Sequence, residues 1–520
     1  MPEALKNPQT IKKRSTKRLA GLVSGPVIAI LIFVFADLKP GHPEVTNTLA
    51  IALLMAIWWV TEAIPIAVTA LIPVALFPLL GVMNGQEVSS TYFNHLIFLF
   101  IGGFIIALAM EKWNLHRRIA LKILIKFGVS PGRILMGFML ATAFLSMWMS
   151  NTATTMMMVP IILSIVLQLE ETIGQREVSK YSIGLFLGVA YSASIGGIAT
   201  LVGTPPNLSF ARIFAIMFPE APEISFANWF MFAMPITILM FIAAWLLLYF
   251  MYKPKTRWEN ISPETFQKQY QELGAFSFEE KIVFGSFISL ALLWIFRAGI
   301  KFDTFSIPGW SSLFSHPQYL NDGTVAIAIA IFLFIIPSKN KQGTRIMDWK
   351  TANKLPWHIV LLFGGGFALA GGFAESGLSM WFGEQLSWVA GIHPLVVIFV
   401  IALLMSFLTE LTSNTATTEM LLPIFAGISL SAGVNPLLFM VPATLAASLA
   451  FMLPVATPPN AIIFGTSRLR IIDMARTGFL LNFIGITIVT LITYYFGTYI
   501  FDIDVNIFPE WAKMAITFGK

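Results

Sequence analysis

Cysteine is absent from the 520 residues, so neither a disulfide nor a thiolate metal site can form in this chain. Histidine is scarce: six residues, scattered without ligand-like spacing. No Gly-Lys-Ser/Thr phosphate loop occurs, which argues against ATP-driven work by this chain. An enzyme would need a nucleophile–base pair or a metal cluster, and neither pattern is present. Charge is short as well, at 12% of residues against 57% hydrophobic, more apolar side chain than a soluble core of this length uses. The strict alternation that builds an outer-membrane barrel is missing, which leaves helices as the way across a bilayer. The net charge of +6 does not call for nucleic acid, because cytoplasmic loops of membrane proteins carry such an excess.

Long apolar runs are what the chain has instead. Segments such as 19–36, 229–250 and 478–496 reach or approach the roughly 20 residues of a spanning helix. The first follows Lys12, Lys13, Arg14, Lys17 and Arg18, is too long for a signal peptide and has no small-residue cleavage site. It is expected to be the first span, with the N-terminus cytoplasmic. Further spans are expected near 47–61, 63–81 and 98–111. The segment 111–133 is rich in Lys and Arg, and so is the chain at Arg176 and Lys180; the broken apolar stretch 134–167 between them enters and leaves on one side, as a re-entrant hairpin does. Spans near 183–209 and 229–252 follow, then the polar stretch 253–281, then spans near 282–298 and 323–337 and a basic loop with Lys339, Lys341, Arg345, Lys350 and Lys354. No Lys or Arg occurs from 355 to 467, which places a loop near 375–393 and a second re-entrant segment on the outer face. Arg468, Arg470 and Arg476 mark the return, and a span near 478–500 leaves the C-terminus outside. The expectation is an all-α polytopic inner-membrane protein of about eleven spans plus two hairpins.

An internal repeat organises this path. Leu-Ser-Met-Trp-Met-Ser-Asn-Thr-Ala-Thr-Thr at 145–155 recurs as Leu-Thr-Glu-Leu-Thr-Ser-Asn-Thr-Ala-Thr-Thr at 408–418, an offset of 263, and Gly102-Gly103-Phe104 recurs at the same offset as Gly365-Gly366-Phe367. Gly203-Thr204-Pro205-Pro206-Asn207 is echoed by Ala456-Thr457-Pro458-Pro459-Asn460, with ten residues fewer between. The loop after the first glycine helix is basic and its counterpart is not, so the halves are expected to be inverted. The corresponding domains are a tail 1–18, a first repeat 19–252, a cytoplasmic linker 253–281, a second repeat 282–500 and an external tail 501–520.

Ser-Asn-Thr inside an apolar segment puts hydroxyl, amide and freed backbone groups at membrane depth, where they must face protein or a water-filled cavity. The amides at the start of a hairpin's second arm favour an anion, while carbonyls and the Asn oxygen suit a hard cation such as sodium. Thr-Pro-Pro breaks its span, since each proline lacks an N–H and clashes with the preceding turn. Neither motif contains a Lys, Arg or His, so an anionic substrate would be balanced by bound cations and helix ends. Paired, broken, mid-depth elements are what alternating access by a carrier requires; a channel would more typically repeat a filter around a symmetric pore. The glycine pairs suit close helix packing, and Glu62 suits a cytoplasmic turn. Glu410 and Glu419 have no counterparts in the first motif and are given no core role. The Glu/Lys/Gln stretch 259–281 suits a solvated helix.

The two Ser-Asn-Thr motifs, the paired Thr-Pro-Pro segments and Trp-Trp-Val-Thr-Glu-Ala-Ile-Pro at 58–65 resemble the divalent anion/sodium symporter family over about residues 20–500. That resemblance implies sodium-coupled import of C4-dicarboxylates such as succinate, malate and fumarate, and no organic cofactor. It also implies a homodimer in the lipid membrane whose protomers carry a scaffold domain (19–111, 282–374) and a transport domain (112–228, 375–477) moving as an elevator. Substrate carboxylates would be held by Ser150, Asn151, Thr152, Ser413, Asn414 and Thr415, assisted by Thr204, Thr457 and Pro458. One sodium site would use Ser146, Ser150, Asn151 and the backbone of Gly203; the other Thr409, Thr412, Asn414 and the backbone of Ala456. The family includes sodium-independent dicarboxylate exchangers and carriers of sulfate or citrate, and both alternatives stay open at the level of sequence.

Overall fold

A computed structural model describes residues 8–127, 130–254, 264–301, 306–340, 343–501, 503–505 and 507–513. Lys341 and parts of the expected external tail, cytoplasmic tail and linker lie outside the described residues. Helix accounts for nearly all regular structure. The first half runs α1 (Pro8–Phe35), α2 (Pro43–Thr61), α3 (Ile66–Thr69), α4 (Ile72–Leu79), α5 (Gly85–Thr91), α6 (His95–Lys112), α7 (Leu115–Phe127), α8 (Pro131–Ser146), α9 (Asn151–Ile173), α10 (Gln175–Ile198), α11 (Pro205–Met217) and α12 (Phe226–Tyr252). After α13 (Glu264–Glu272) the second half runs α14 (Phe278–Ile295), α15 (Asp322–Ile335), α16 (Trp349–Ala352), α17 (Trp357–Ser376), α18 (Leu378–Gln385), α19 (Pro394–Thr409), α20 (Asn414–Ala432), α21 (Leu437–Ala447), α22 (Pro458–Phe464) and α23 (Ile471–Phe501). Among the described residues, eight helical stretches are long and apolar enough to span a bilayer, and five shorter apolar helices accompany them. One departure from an all-helical chain is a two-residue ladder, Ile300–Lys301 against Ser306–Ile307.

Local chemistry sets the boundaries. Pro65 precedes α3 and Pro73 opens α4, so the expected single span at 63–81 is two short helices. α1 starts at Pro8 rather than near 19, since Lys and Arg are good helix formers. Asn94 accepts from the N–H groups of Leu96 and Ile97 and starts α6. A capping box between Ser277 and Glu280 starts α14. Glu62 closes α2 in the left-handed conformation and pairs with Arg18 at 3.2 Å, a structural role at a turn.

The linker helix is less solvated than its composition suggests. Phe266 on α13 is buried against Phe138, with ring centroids 6.0 Å apart. Arg118 on α7 lies over the Tyr270 ring and bonds Glu280 at 2.6 Å, tying linker, α7 and α14 together. Glycines do bring helices together, though not uniformly. A Cβ on Gly102 would sit 2.5 Å from Ala326 Cβ, so α6 and α15 touch backbone to backbone, whereas at Gly103 the nearest atoms lie at an ordinary 3.5 Å.

From the glycine helix onward the halves lay down the same order of elements: α6 to α12 correspond one by one to α17 to α23. α10, with 94% of its apolar window buried, lies at the centre, and α1, with 11%, at the periphery.

Candidate functional site

Both Ser-Asn-Thr motifs sit at helix–turn–helix tips. α8 ends at Ser146 and α9 begins at Asn151; α19 ends at Thr409 and α20 begins at Asn414. Ser150 and Ser413 are the N-caps, in extended conformation, accepting from the N–H groups of Ala153 (3.1 Å) and Ala416 (3.5 Å). Their hydroxyls therefore organise the first turns of α9 and α20, and Thr152 and Thr415 stand on those turns. The tip residues 150–153 and 412–414 are only half-buried, whereas Thr154 and Thr155 behind the first tip and residues 415–419 behind the second are buried.

The Thr-Pro-Pro segments lie where the spans are broken. α10 stops at Ile198 and α11 starts at Pro205; α21 stops at Ala447 and α22 starts at Pro458, leaving ten irregular residues in the second break. Thr204 and Thr457 are the buried N-caps after the breaks, and Pro458 is exposed. The second arm of each hairpin packs against the broken span of the other half: α9 against α22, and α20 against α11.

Around the first tip, oxygen atoms converge. Ser146 Oγ lies 2.5 Å from the Asn151 amide and 2.7 Å from the Ala193 carbonyl. The amide atom facing this cluster is also 3.1 Å from Ala193 O and 3.3 Å from Gly203 O. With its oxygen inward, Asn151 joins three other oxygens that share the one hydroxyl hydrogen of Ser146. With its nitrogen inward it donates to them. The amide meets the same three atoms in either sense: nitrogen inward, it closes the cluster by hydrogen bonds, and turned over it would add a fourth oxygen to the cluster. The structure thus brings together Ser146, Asn151 and Gly203, and adds Ala193. Ser150 is occupied as a cap.

The second tip is built from the matching residues and is looser. Thr409 Oγ1 donates back into its own helix, to Met405 O at 2.9 Å. Thr412 Oγ1 meets Thr417 Oγ1 at 2.7 Å. Asn414 Oδ1 is buried with no hydrogen-bond partner among the described residues, an acceptor in want of a proton or cation. Ala456 lies at the end of the unwound segment, its N–H donating to Leu453 O.

Three further groups shape the site. Asn207 Nδ2 donates to the carbonyls of Gly197, Ile198 and Thr200 at 3.3, 3.1 and 2.7 Å, pegging the first break open. Asn460 does the same to Ala450 and Leu453 at 3.1 and 3.0 Å. Both belong to the Thr-Pro-Pro-Asn echo, which was the available signal. Glu410 and Glu419, assigned no core role from sequence, are both buried. Glu410 accepts from Met452 N (2.9 Å), Leu453 N (3.0 Å) and Asn482 Nδ2 (2.8 Å), so it ties the second tip to the second break. The repeat comparison hid it because the first half does this differently: Thr200 Oγ1 donates to Met147 O at 2.5 Å and accepts from Gly203 N at 3.0 Å.

The family described as the sodium:sulfate symporter transmembrane region matches residues 16–503. A sodium-dependent dicarboxylate transporter of Staphylococcus saprophyticus is 43% identical over 506 residues, covering 96% of this chain and 95% of that protein. One of the same description from Staphylococcus aureus is 44% identical over 501 residues, covering 95% and 94%. Among solved structures, the YdaH transporter of Alcanivorax borkumensis shares the fold at a TM-score of 0.55 and 13% identity, covering 80% of this chain and 90% of that one. The MtrF protein of Neisseria gonorrhoeae does so at 0.54 and 13%, covering 90% and 97%.

Proposed function

The chain belongs to the sodium:sulfate symporter family, and from that premise we propose that it is a sodium-coupled carrier importing C4-dicarboxylates across the inner membrane. It is a multi-pass membrane transporter, not an enzyme, with sodium as its coupling ion. The observation that carries the reading is the convergence of Ser146 Oγ, the Asn151 amide, Ala193 O and Gly203 O on one point at the first tip. With the Asn151 oxygen turned inward the cluster holds four neutral oxygens and no fixed charge, which suits sodium rather than a divalent ion, which calls for carboxylates.

Sodium enters this cluster with the Asn151 oxygen turned towards it, which presents the Asn151 nitrogen outward to a substrate carboxylate. The second ion is taken by Thr409, Thr412, Asn414 and the backbone near Ala456. The anion lies between the tips, held by Ser150, Asn151, Thr152, Ser413, Asn414 and Thr415, with Thr204, Thr457 and Pro458 closing the sides. The N-termini of α9 and α20 add favourable dipoles. The charge balance follows: two sodium ions offset one dianion, so the loaded site crosses the low-dielectric barrier without a large net charge.

The halves are inverted repeats, in an arrangement of about eleven spans and two hairpins with the N-terminus cytoplasmic and the C-terminus outside. Their matching order of elements and the crossed packing of α9 on α22 and α20 on α11 support this. The transport domain (112–228 and 375–477) moves as an elevator against a scaffold (19–111 and 282–374) that forms the homodimer contact. The test is uptake of radiolabelled succinate into proteoliposomes, with and without an inward sodium gradient, into empty or dicarboxylate-loaded vesicles. Sodium-dependent uptake into empty vesicles is expected. Uptake that ignores sodium and needs internal dicarboxylate would make the protein an exchanger and overturn the coupling.

A further inference from the structure

Glu419 stands on α20, five residues beyond Asn414, fully buried. Oε1 accepts from Ser209 Oγ on α11 at 2.9 Å, and Oε2 has no hydrogen-bond partner among the described residues. On its other side lies α17, so close that a Cβ on Gly366 would fall 2.4 Å from the Glu419 Cδ and 2.5 Å from Oε2. No ion pair among the described residues includes Glu419. Of the titratable groups on neighbouring elements, Tyr92 is near enough to interact electrostatically, but its hydroxyl donates to Ala70 O at 2.5 Å. Arg212, three residues beyond Ser209 on α11, forms no bond with Glu419, nor do Glu375 of α17, Glu384 of α18 or Glu410 of α19. The matching position in the first half is Met156, so this acid belongs to one half alone.

A bare carboxylate facing one hydroxyl donor and an apolar helix surface is strongly disfavoured. It must hold a cation. Sodium requires several oxygen ligands, and the backbone of Gly366 fills the side of the carboxyl where they would stand. A proton needs no such shell. We propose that Glu419 is a proton-binding site at the contact between α20 and α17, and that transport requires it in its protonated form. This rests on the elevator reading above, in which α20 travels and α17 stays. A neutral carboxyl lets α20 slide past the glycine surface, whereas an ionised one demands water and holds the contact open. Movement carries the group away from Gly366, which is when it can exchange its proton with solvent.

The test is sodium-driven succinate uptake into proteoliposomes held at equal pH on both sides, from about pH 7 to about pH 9.5, a range in which succinate is almost wholly the dianion. Wild-type uptake should fall at least about fivefold across that range. Glu419→Gln, which mimics the neutral acid, should keep a rate within about twofold of the wild-type low-pH rate and lose the fall. Ser209→Ala removes a donor that favours the charged form, so its fall should move to higher pH. A pH-independent wild type, or a Gln variant that titrates like wild type, would overturn the proposal. So would a Gln variant that needs fewer sodium ions yet keeps its pH profile, since the occupant would then be sodium. If Glu419→Gln does not yield folded protein, the Ser209→Ala profile decides, and an unshifted midpoint overturns the assignment. Absence of sodium-driven uptake in wild type at every pH would instead defeat the transport reading itself.

Discussion

In the proposed site Asn151 serves two ligands with one planar group, because its oxygen and nitrogen point apart. Ser146 supplies the single hydroxyl in the first oxygen cluster, so Ser146→Ala deletes one ion ligand and leaves the amide in place. The sodium concentration for half-maximal uptake should rise about tenfold, equivalent to ~1.4 kcal/mol, with succinate affinity at saturating sodium little changed. An unmoved sodium curve would remove Ser146 from the site. Ser146 and Asn151 were named from the sequence through the recurring motif and the family resemblance it carries. Ala193 was not, because a carbonyl ligand leaves no trace in residue identity. Glu419 escaped for another reason: it has no partner in the other repeat, and its significance lies in what α11 and α17 fail to offer it.

The broken spans are the elements on which the site depends, and each break is kept open by one asparagine. Asn207→Leu would leave the carbonyls of Gly197, Ile198 and Thr200 without a donor in an apolar interior, at about 1–3 kcal/mol for each that finds no substitute. Uptake should drop more than about tenfold and the unfolding midpoint should fall by several degrees, read by size-exclusion after heating. Normal stability with normal uptake would show that the break needs no peg. Proline pairs announced both breaks, but not their extents. The second is longer because Glu410 replaces helical partners for Met452 and Leu453. Likewise the stretch 259–281 has a solvated composition, yet Phe266 and Tyr270 dock it through contacts with Phe138 and Arg118 that no local pattern encodes.

At the scale of the molecule, the second arm of each hairpin packs against the opposite half's broken span, while α2 and α17 also pack against α20. Val60 on α2 and Met420 on α20 line one shallow cavity beside Thr412 and Ser413. Because the chain lacks cysteine, Val60→Cys with Met420→Cys creates a single pair, and a short bifunctional reagent joining them should abolish uptake until it is cleaved. Full transport with the bridge intact would exclude sliding of α20 along α2. What the sequence by itself determined is the membrane as solvent, an all-helical chain, the recurrence of its motifs and the polar residues at their tips. All of these follow from composition, local propensity and spacing along one chain. The tertiary structure alone decided that the Ala193 carbonyl joins the oxygen cluster at the first tip, how tightly each tip is drawn together, and that a lone carboxyl is sealed between α20, α11 and α17. Those depend on atoms from distant segments meeting at distances of a few ångström, which hydropathy and spacing do not specify.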